Sequence, residues 1–349
     1  MNTVKKPSRS SRSAHRKIAR LSEPGKSKSH SPDPAIYTGI LQQINDGYAM
    51  LFLGAGSTRN CRRPDGKRGL TGEELANEIL TKLNNGTPPD FGNVGLMQAS
   101  EFYTSVNAGA RAGLDRLIQD RLTDLCPTVG HYVAASYQWR AVVTTNYNRV
   151  AEDAWAEAHA SGYAANELLS IKTDSDIIQY QGDTKRTRLY KPHGCITVQK
   201  QQSNRMVLTS LDYFASERIR KGIYEAIRSL AKDCSTVFAG YSLNDYTFKN
   251  IFYTLYEELG QWASQSYAIT PISNATQVRW LTESMKENFK TKVINESFDT
   301  FMLRLTLAKG RIHKSLKKKV LLLWPTFEAD NFASIGELKK EDIIALPEM

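Results

Sequence analysis

Short apolar runs alternate along the chain with longer segments whose apolar residues recur every three or four positions. Helical spacing of this kind separates most of the short runs, which have the length of buried strands. The alternation predicts an α/β fold with a mostly parallel sheet and helices on both faces. The predicted strands are YAMLFL (48–53), AVVTT (141–145), TRLYKP (187–192), CSTVFAG (234–240), SQSYAIT (264–270) and TKVIN (291–295).

Helical patterns are concentrated between the first two predicted strands. The segment TGEELANEILTKL begins at Thr71, a residue type that caps helix N-termini, and further amphipathic segments follow over residues 95–138. We therefore predict a helical insertion over about residues 71–138 in an otherwise Rossmann-like sheet domain. The other predicted helices are AIYTGILQQIND, YNRVAEDAWAEAH, YFASERIRKGIYEAIRSLA and DYTFKNIFYTLYEEL.

The two ends of the chain differ in composition from this core. Residues 1–34 contain nine Lys or Arg and two acidic residues, so they hold +7 of the formal net charge of +10. Because this tail is rich in Ser and Pro and poor in large apolar residues, we predict that it is disordered. Residues 35–309 are expected to form the folded domain. Residues 310–349 are expected to form an extension whose apolar VLLLW contacts a partner or a second copy, or else covers the core.

Composition argues against a membrane protein, a secreted protein and a dedicated nucleic-acid-binding fold. No apolar run approaches the length of a transmembrane helix, and the charged N-terminus does not continue into a secretory signal, so we expect a cytoplasmic protein without membrane contact. The four cysteines are far apart and form no CxxC pair, which fits a reduced compartment and predicts no metal site. The charge outside the tail is too small for a dedicated nucleic-acid-binding fold, although the tail leaves a weak nucleic-acid contact open.

Glycine or polar clusters follow four of the predicted strands. In an open parallel sheet the carboxyl ends of the strands meet at the crevice where ligands bind. We therefore expect the four clusters to form one site. They are GAGS (54–57), NYN (146–148), HG (193–194) and YSLND (241–245).

The GAGS cluster has two interpretations. Two glycines and Ser57 after a buried strand are compatible with a tight turn, and also with close approach of a phosphate to the backbone. The third glycine of the dinucleotide fingerprint is missing, and no helix is predicted directly after the loop. The basic residues that follow have a similar pair of interpretations, phosphate contact or solvated surface. They are Arg59, Arg62, Arg63, Lys67 and Arg68.

FLGAGS, VTTNYN, YKPHG and FAGYSLND, in this order, resemble the sirtuin-like NAD-binding family, and in particular the NAD-hydrolysing effectors of bacterial anti-phage defence. The resemblance runs from about Tyr48 to Thr300. Sirtuin deacylases also carry a zinc module with paired CxxC motifs. This sequence lacks that module, so the resemblance implies hydrolysis of NAD, as substrate and without a metal, rather than deacylation. It further implies abortive infection, a homo-oligomer, and activation by a partner ATPase or nucleic-acid-sensing protein.

The same resemblance implies that Asn146 and His193 are the catalytic residues. An amide both donates and accepts hydrogen bonds, which suits it to positioning a substrate. An imidazole with its ordinary pKa of about 6.5 suits a base that acts on water or on a ribose hydroxyl. Taken without the resemblance, Asn146 is equally a helix cap. His193 before Gly194 has two interpretations, a turn residue or a functional one, and the strand end before it and Pro192, which fixes the approach, favour the functional one.

The resemblance also implies a set of NAD-binding residues. The glycine loop would face the diphosphate, and residues of FAGYSLND would face the adenosine half. Asn148 stands where the family usually has an acid, so it retains a hydrogen bond but not the charge. The implied set is Gly54, Ala55, Gly56, Ser57, Asn148, Gly240, Ser242 and Asn244. Cys195, beside the candidate base, is predicted to be a small buried residue rather than a nucleophile.

Two other function classes stay open. A nucleic-acid-binding or nuclease subunit would use the basic tail, but the sequence offers no acidic cluster spaced for metal ions. A non-hydrolysing module that binds NAD or an ADP-ribose-like signal would use the same glycines, so the sequence does not exclude it.

Overall fold

The structure of the protein is a computed structural model, and it describes most of the predicted folded domain. The described residues exclude positions 1–32 of the predicted basic tail, most of the C-terminal extension, and Ser242 and Asn244. Helix α1 (Pro34–Asn45) begins inside the predicted tail. The described residues are 33–87, 92, 94–197, 205–241, 249–312, 320–322 and 343–345.

Seven strands form one parallel sheet. They are β1 (Ala49–Leu53), β2 (Ala141–Thr144), β3 (Leu168–Ile171), β4 (Thr187–Tyr190), β5 (Ser235–Ala239), β6 (Ser266–Ile269) and β7 (Thr291–Ile294). Their order is β3-β4-β2-β1-β5-β6-β7, which confirms the predicted α/β fold with a parallel sheet. A separate parallel pair consists of β8 (Val320–Leu322) and β9 (Ile343–Ala345).

The helices follow the predicted alternation, with differences in some bounds and in the number of elements. The segment predicted as one helix over 213–231 is two helices that meet at Arg220, and an additional strand, β3, lies at the sheet edge. The helices are α1 (Pro34–Asn45), α2 (Gly72–Leu83), α3 (Leu96–Val106), α4 (Ala112–Leu122), α5 (Val129–Ala135), α6 (Val150–Ala160), α7 (Asp174–Gln179), α8 (Ser210–Ile219), α9 (Lys221–Asp233), α10 (Thr254–Leu259), α11 (Ala275–Phe289) and α12 (Phe298–Ile312). A π-helix, Lys249–Tyr253, leads directly into α10.

Alternating residues of the central strand face opposite sides of the sheet, as the two-residue period of a strand requires. Leu51 and Leu53 pack into a core covered by α1, α5, α6 and α12. Met50 and Phe52 pack into the opposite core, which α9, α10 and α11 cover. Helices therefore lie on both faces, as predicted. A third apolar cluster joins α2, α3 and α4 to the segments that follow β2 and β4.

The strand order creates a crevice at the middle of the sheet. Strands β1 and β5 are neighbours, yet β1 leads to β2 on one side while β5 leads to β6 on the other. Such a reversal opens a crevice at the carboxyl ends of the strands. The four predicted polar clusters follow β4, β2, β1 and β5, which are consecutive in the sheet. Within the described ranges, no helix is both long enough and apolar enough to cross a membrane.

Candidate functional site

The loop after β1 packs directly against the loop after β5. The Gly56 amide donates to the Gly240 carbonyl at 2.7 Å. A Cβ added at Gly54 would lie 2.4 Å from Tyr241 Cα, and one added at Gly240 would lie 2.1 Å from the Ser57 nitrogen. Gly240 also has a φ of +59°, which side chains rarely adopt. Contact between the two backbones therefore requires these glycines, whatever else approaches the loop.

A single 3₁₀ turn, Ala55–Thr58, follows the first glycine at once, contrary to the expectation that no helix starts there. Two hydroxyl groups of the turn donate hydrogen bonds to carbonyl groups at its start. Ser57 Oγ donates to the Gly54 carbonyl at 2.7 Å, and Thr58 Oγ1 donates to the Ala55 carbonyl at 3.1 Å. Ser57 is buried, so its hydroxyl proton is committed to this turn.

Asn146 connects the end of β2 to the loop after β1. Its Nδ2 donates to the Gly54 carbonyl at 3.0 Å and lies 3.5 Å from Ser57 Oγ. Its backbone amide donates to Thr144 Oγ1 at 3.1 Å. With a side chain fixed by its nitrogen and only 8% of the residue exposed, Asn146 has a defined orientation at the crevice.

Helix α6 has Arg149 at its N-cap position, so the interpretation of Asn146 as the cap of this helix is wrong. The Oδ1 atom of Asn148 accepts from the Val150 amide at 3.3 Å. Helix α6 begins at Val150, later than the predicted start near Tyr147. A carboxylate oxygen at position 148 would accept the same bond, so asparagine preserves the start of this helix.

His193 lies in a tight turn after β4. The Gly194 amide donates to the Lys191 carbonyl at 3.0 Å, and Pro192 occupies the second position of the turn, which its fixed φ suits. Gly194 has a φ of +82°, and a Cβ there would lie 2.9 Å from the Arg205 carbonyl oxygen. The interpretation of His193 as a turn residue is therefore right, and it does not exclude a chemical role.

Two tyrosine rings flank the His193 ring. The ring of Tyr147 is stacked at a centroid distance of 6.4 Å, and that of Tyr213 is edge-on at 5.2 Å. The Val207 amide donates to the His193 carbonyl at 3.0 Å, and Tyr147 donates from its hydroxyl to the Val207 carbonyl. His193 is 3% exposed, so its imidazole is held in one position within the site.

The two candidate catalytic residues follow neighbouring strands, β2 and β4. Val143 of β2 lies opposite Tyr190 of β4. Asn146 follows Val143 by three residues, and His193 follows Tyr190 by three residues. Both residues therefore follow the carboxyl ends of neighbouring strands, at the same edge of the sheet.

A buried ion pair beneath these loops was missed by the sequence reasoning. Lys191 is fully buried, and its Nζ lies 3.0 Å and 3.2 Å from the two carboxylate oxygens of Glu152 on α6. The same ammonium donates to the Asn148 carbonyl. The one signal in the sequence was a lysine placed directly after a buried strand, since lysine is almost never fully buried without a partner.

A buried arginine supports the turn that carries His193. Arg220, at the junction of α8 and α9, donates to the Pro192 carbonyl at 2.7 Å and to the Arg205 carbonyl at 2.6 Å. Burial lowers the pKa of this guanidinium from its ordinary value. Because a helical pattern runs through position 220, the sequence did not single this residue out.

His131 lies inside the N-terminal cap of α5. Its Nδ1 accepts from the Thr128 amide at 3.2 Å. Asp299 accepts from the Gly130 amide at 3.0 Å and from Asn60 Nδ2 at 2.9 Å, and it also bonds the Thr128 hydroxyl. Burial lowers the pKa of His131 to about 4, so this imidazole is neutral near pH 7. The cluster ties the loop after β1 to α5 and α12.

The remaining predicted residues are distributed as follows. Cys195 is buried, with Sγ 3.2 Å from Thr197 Oγ1, as expected of a packing residue. Ala55 and Gly240 lie in the packed loops, whereas Ser242 and Asn244 lie outside the described residues. In the described part of the chain, no group of three His, Cys, Asp or Glu side chains is arranged to hold a metal ion.

Two cations of the basic loop after the glycines pair with neighbouring carboxylates. Arg68 makes a two-point contact with Glu74, and Lys67 pairs with Asp65 at 3.3 Å. These pairs favour the solvated-surface interpretation over phosphate contact. A cavity of about 380 Å³ opens beside the loop and is lined by Arg63, Lys67, Arg68, Leu70, Glu78 and Arg121.

Comparison with known proteins gives one family match, to part of the chain. No curated protein matches the sequence. Among solved structures, a triple mutant of a Sir2 homologue in complex with 2'-O-acetyl ADP ribose is 12% identical. That match covers 80% of this chain and 98% of the other, with a TM-score of 0.39, a likeness too weak to carry an argument. Residues 140–293 match the family model of the SIR2-like domain, which supports a sirtuin-like assignment for the segment that contains both Asn146 and His193.

Proposed function

We propose that this protein is an NAD glycohydrolase that cleaves NAD to nicotinamide and ADP-ribose. One observation carries the proposal: Asn146 and His193 follow the carboxyl ends of the neighbouring strands β2 and β4. Both belong to the segment that matches the SIR2-like domain. An NAD-related activity is what this match supports, and hydrolysis is the reaction that the two side chains suit best.

The leaving group of this reaction does not need to be protonated. The nicotinamide ring is cationic in NAD and departs as a neutral molecule, so no general acid is needed. Positive charge develops at the ribose carbon, and the site must orient the ribose and a water. Asn146 donates from Nδ2 to the Gly54 carbonyl, and this bond directs its amide oxygen to act as an acceptor for a ribose hydroxyl or for the attacking water.

We assign to His193 the role of the general base. Its imidazole is fixed between Tyr147 and Tyr213, so it can accept a proton from water or from a ribose hydroxyl with little reorganisation. A positioned base typically contributes about 10²–10⁴-fold to a rate. The loop after β1 and the loop after β5 form the floor on which the diphosphate and the adenosine half would lie, at the reversal of strand order.

The biological role is proposed from the four motifs. Their order resembles that of NAD-depleting effectors of bacterial anti-phage defence, so we assign the protein to abortive infection in the cytoplasm. In such a system a partner, an ATPase or a nucleic-acid-sensing protein, releases the activity of a homo-oligomer.

The test is nicotinamide release from NAD by the purified protein, alone and with the protein encoded beside it, with and without a metal chelator. We expect turnover that the chelator leaves unchanged and that falls at least about 100-fold in Asn146→Ala and in His193→Ala. The matched controls are Asn107→Ala and His159→Ala, both exposed residues, which keep the wild-type rate.

Two results would count against the proposal. Wild-type rates in both site variants would remove these residues from the reaction. NAD binding without cleavage under every condition would leave a non-hydrolysing NAD-binding module in place of an enzyme.

A further inference from the structure

We propose that Lys191 and Glu152 form a positioning pair that holds the two candidate catalytic residues at a fixed separation. This inference rests on the proposed function, since it concerns Asn146 and His193. It assigns to the pair no contact with substrate. Its role is to fix the two loops that carry the reacting side chains.

Lys191 is linked to both loops at once. Its carbonyl accepts from the Gly194 amide at 3.0 Å and so closes the turn that carries His193. Its side chain crosses to the neighbouring loop, where Nζ donates to the Asn148 carbonyl, two residues beyond Asn146. A single residue therefore spans the space between the two candidate catalytic loops.

Glu152 fixes the position of the lysine ammonium. Its two carboxylate oxygens lie 3.0 Å and 3.2 Å from Nζ, and one of them also accepts from Ser170 Oγ at 3.4 Å. The carboxylate belongs to the first turn of α6, and Ser170 belongs to β3. Through this pair, the loop after β2 is connected to the end of β4, to α6 and to β3.

Stability alone does not account for the pair. A well-packed apolar pair is often as stable as a buried ion pair, because both charges lose their water on burial. Lysine is rarely as fully buried as Lys191, at 0% exposure. The feature that an apolar pair would lack is the donor to the Asn148 carbonyl, which is the contact that joins the loops.

Loss of this donor is expected to lower the rate more than the binding. A misplacement of about 1 Å can reduce an enzymatic rate about 100-fold, because reacting groups must meet within a narrow geometry. The rest of the crevice, including the packed loops after β1 and β5, is left intact by a change at Lys191. We therefore expect kcat to fall about 30–100-fold while KM for NAD changes less than about threefold.

The experiment compares single and double replacements in the full chain. Lys191→Met leaves Glu152 charged and unpaired, and Glu152→Leu leaves the lysine unpaired, so each single variant is expected to lose stability. The double variant removes both charges and is expected to recover the melting temperature. Lys221→Met is the matched control, because Lys221 pairs with Glu225 at 3.6 Å on the exposed surface.

The decisive variant is the double replacement. Recovered stability with kcat still reduced at least about 30-fold supports a positioning role. Recovery of kcat together with stability overturns it, since the pair would then serve folding only.

If the wild-type protein binds NAD without cleaving it, the proposed hydrolase function is wrong, but the positioning role of Lys191 and Glu152 can still be tested. The test is then hydrogen exchange. In the double variant, we expect peptides covering residues 145–148 and 191–195 to exchange at least about tenfold faster than in the wild type, with the rest of the sheet unchanged. Unchanged exchange in those two segments would overturn the inference.

Discussion

Replacing Gly54 with alanine tests how closely the two loops at the centre of the crevice are packed. Gly54 has a φ of −107°, so alanine adopts its backbone without strain, and the cost is steric alone. The new Cβ would lie 2.4 Å from Tyr241 Cα and 2.6 Å from the Gly240 oxygen, where ordinary contacts begin at 3.4 Å. The two backbones must therefore separate by about 1 Å, as the difference between these distances requires.

The separation carries two costs. Overpacking of this kind costs about 1–3 kcal/mol. The bond from the Gly56 amide to the Gly240 carbonyl, 2.7 Å long, crosses the same contact, and its loss adds about 1 kcal/mol. We expect Gly54→Ala to lower the free energy of unfolding by about 2–4 kcal/mol.

Urea unfolding followed by tryptophan fluorescence measures this change from the transition midpoint at constant slope. Gly182→Ala is the control, because a Cβ at Gly182 meets nothing within 4 Å, and we expect it to change the free energy of unfolding by less than about 0.5 kcal/mol. Equal midpoints for the two variants would refute the close approach of the loops.

Two further predictions concern stability. Because burial lowers the pKa of His131 to about 4, only the unfolded chain binds this proton between about pH 4 and 6.5, so the free energy of unfolding falls as pH decreases through that window. Urea unfolding at pH 5.0 and 7.5 should show a loss of about 2 kcal/mol that His131→Gln removes, and an unchanged loss in the variant would contradict the assignment. Thr71 accepts from the Glu74 amide at 3.3 Å, so Thr71→Ala should cost about 1 kcal/mol in the same assay, whereas Thr71→Ser should cost much less; equal losses would exclude the cap.

The sheet could be predicted from the sequence because its central strands are continuous buried runs. Every residue of β1 and β5 is buried, and such runs stand out from the helical segments around them. Strand β3 lies at the sheet edge with alternate residues half-buried, and its short LLSI run carries no comparable signal. The break between α8 and α9 was missed because Gly222 is the one breaker residue near it and the helical pattern runs past that position. The contact that fixes the break, from Arg220 to the Pro192 carbonyl, joins residues that are distant in the chain.

The candidate site could be predicted as a set of strand ends but not as a set of contacts. Whether a cluster directly follows a strand can be read from the local sequence. That information was enough to predict that four clusters follow strands at one edge of the sheet. The partner of Gly56 is Gly240, and the partner of Lys191 is Glu152, pairs that are distant in sequence. Such contacts depend on the strand order, which apolar spacing alone does not determine.

A crystal structure of Asn146→Ala with NAD bound tests the central claim most directly, since a variant that fails to cleave NAD would retain the intact dinucleotide. We expect NAD across the carboxyl ends of β4, β2, β1 and β5, with the nicotinamide ribose beside His193 and the diphosphate at the turn Ala55–Thr58. NAD bound elsewhere on the protein, or a nicotinamide ribose remote from His193, would contradict the assignment of this crevice as the site of hydrolysis.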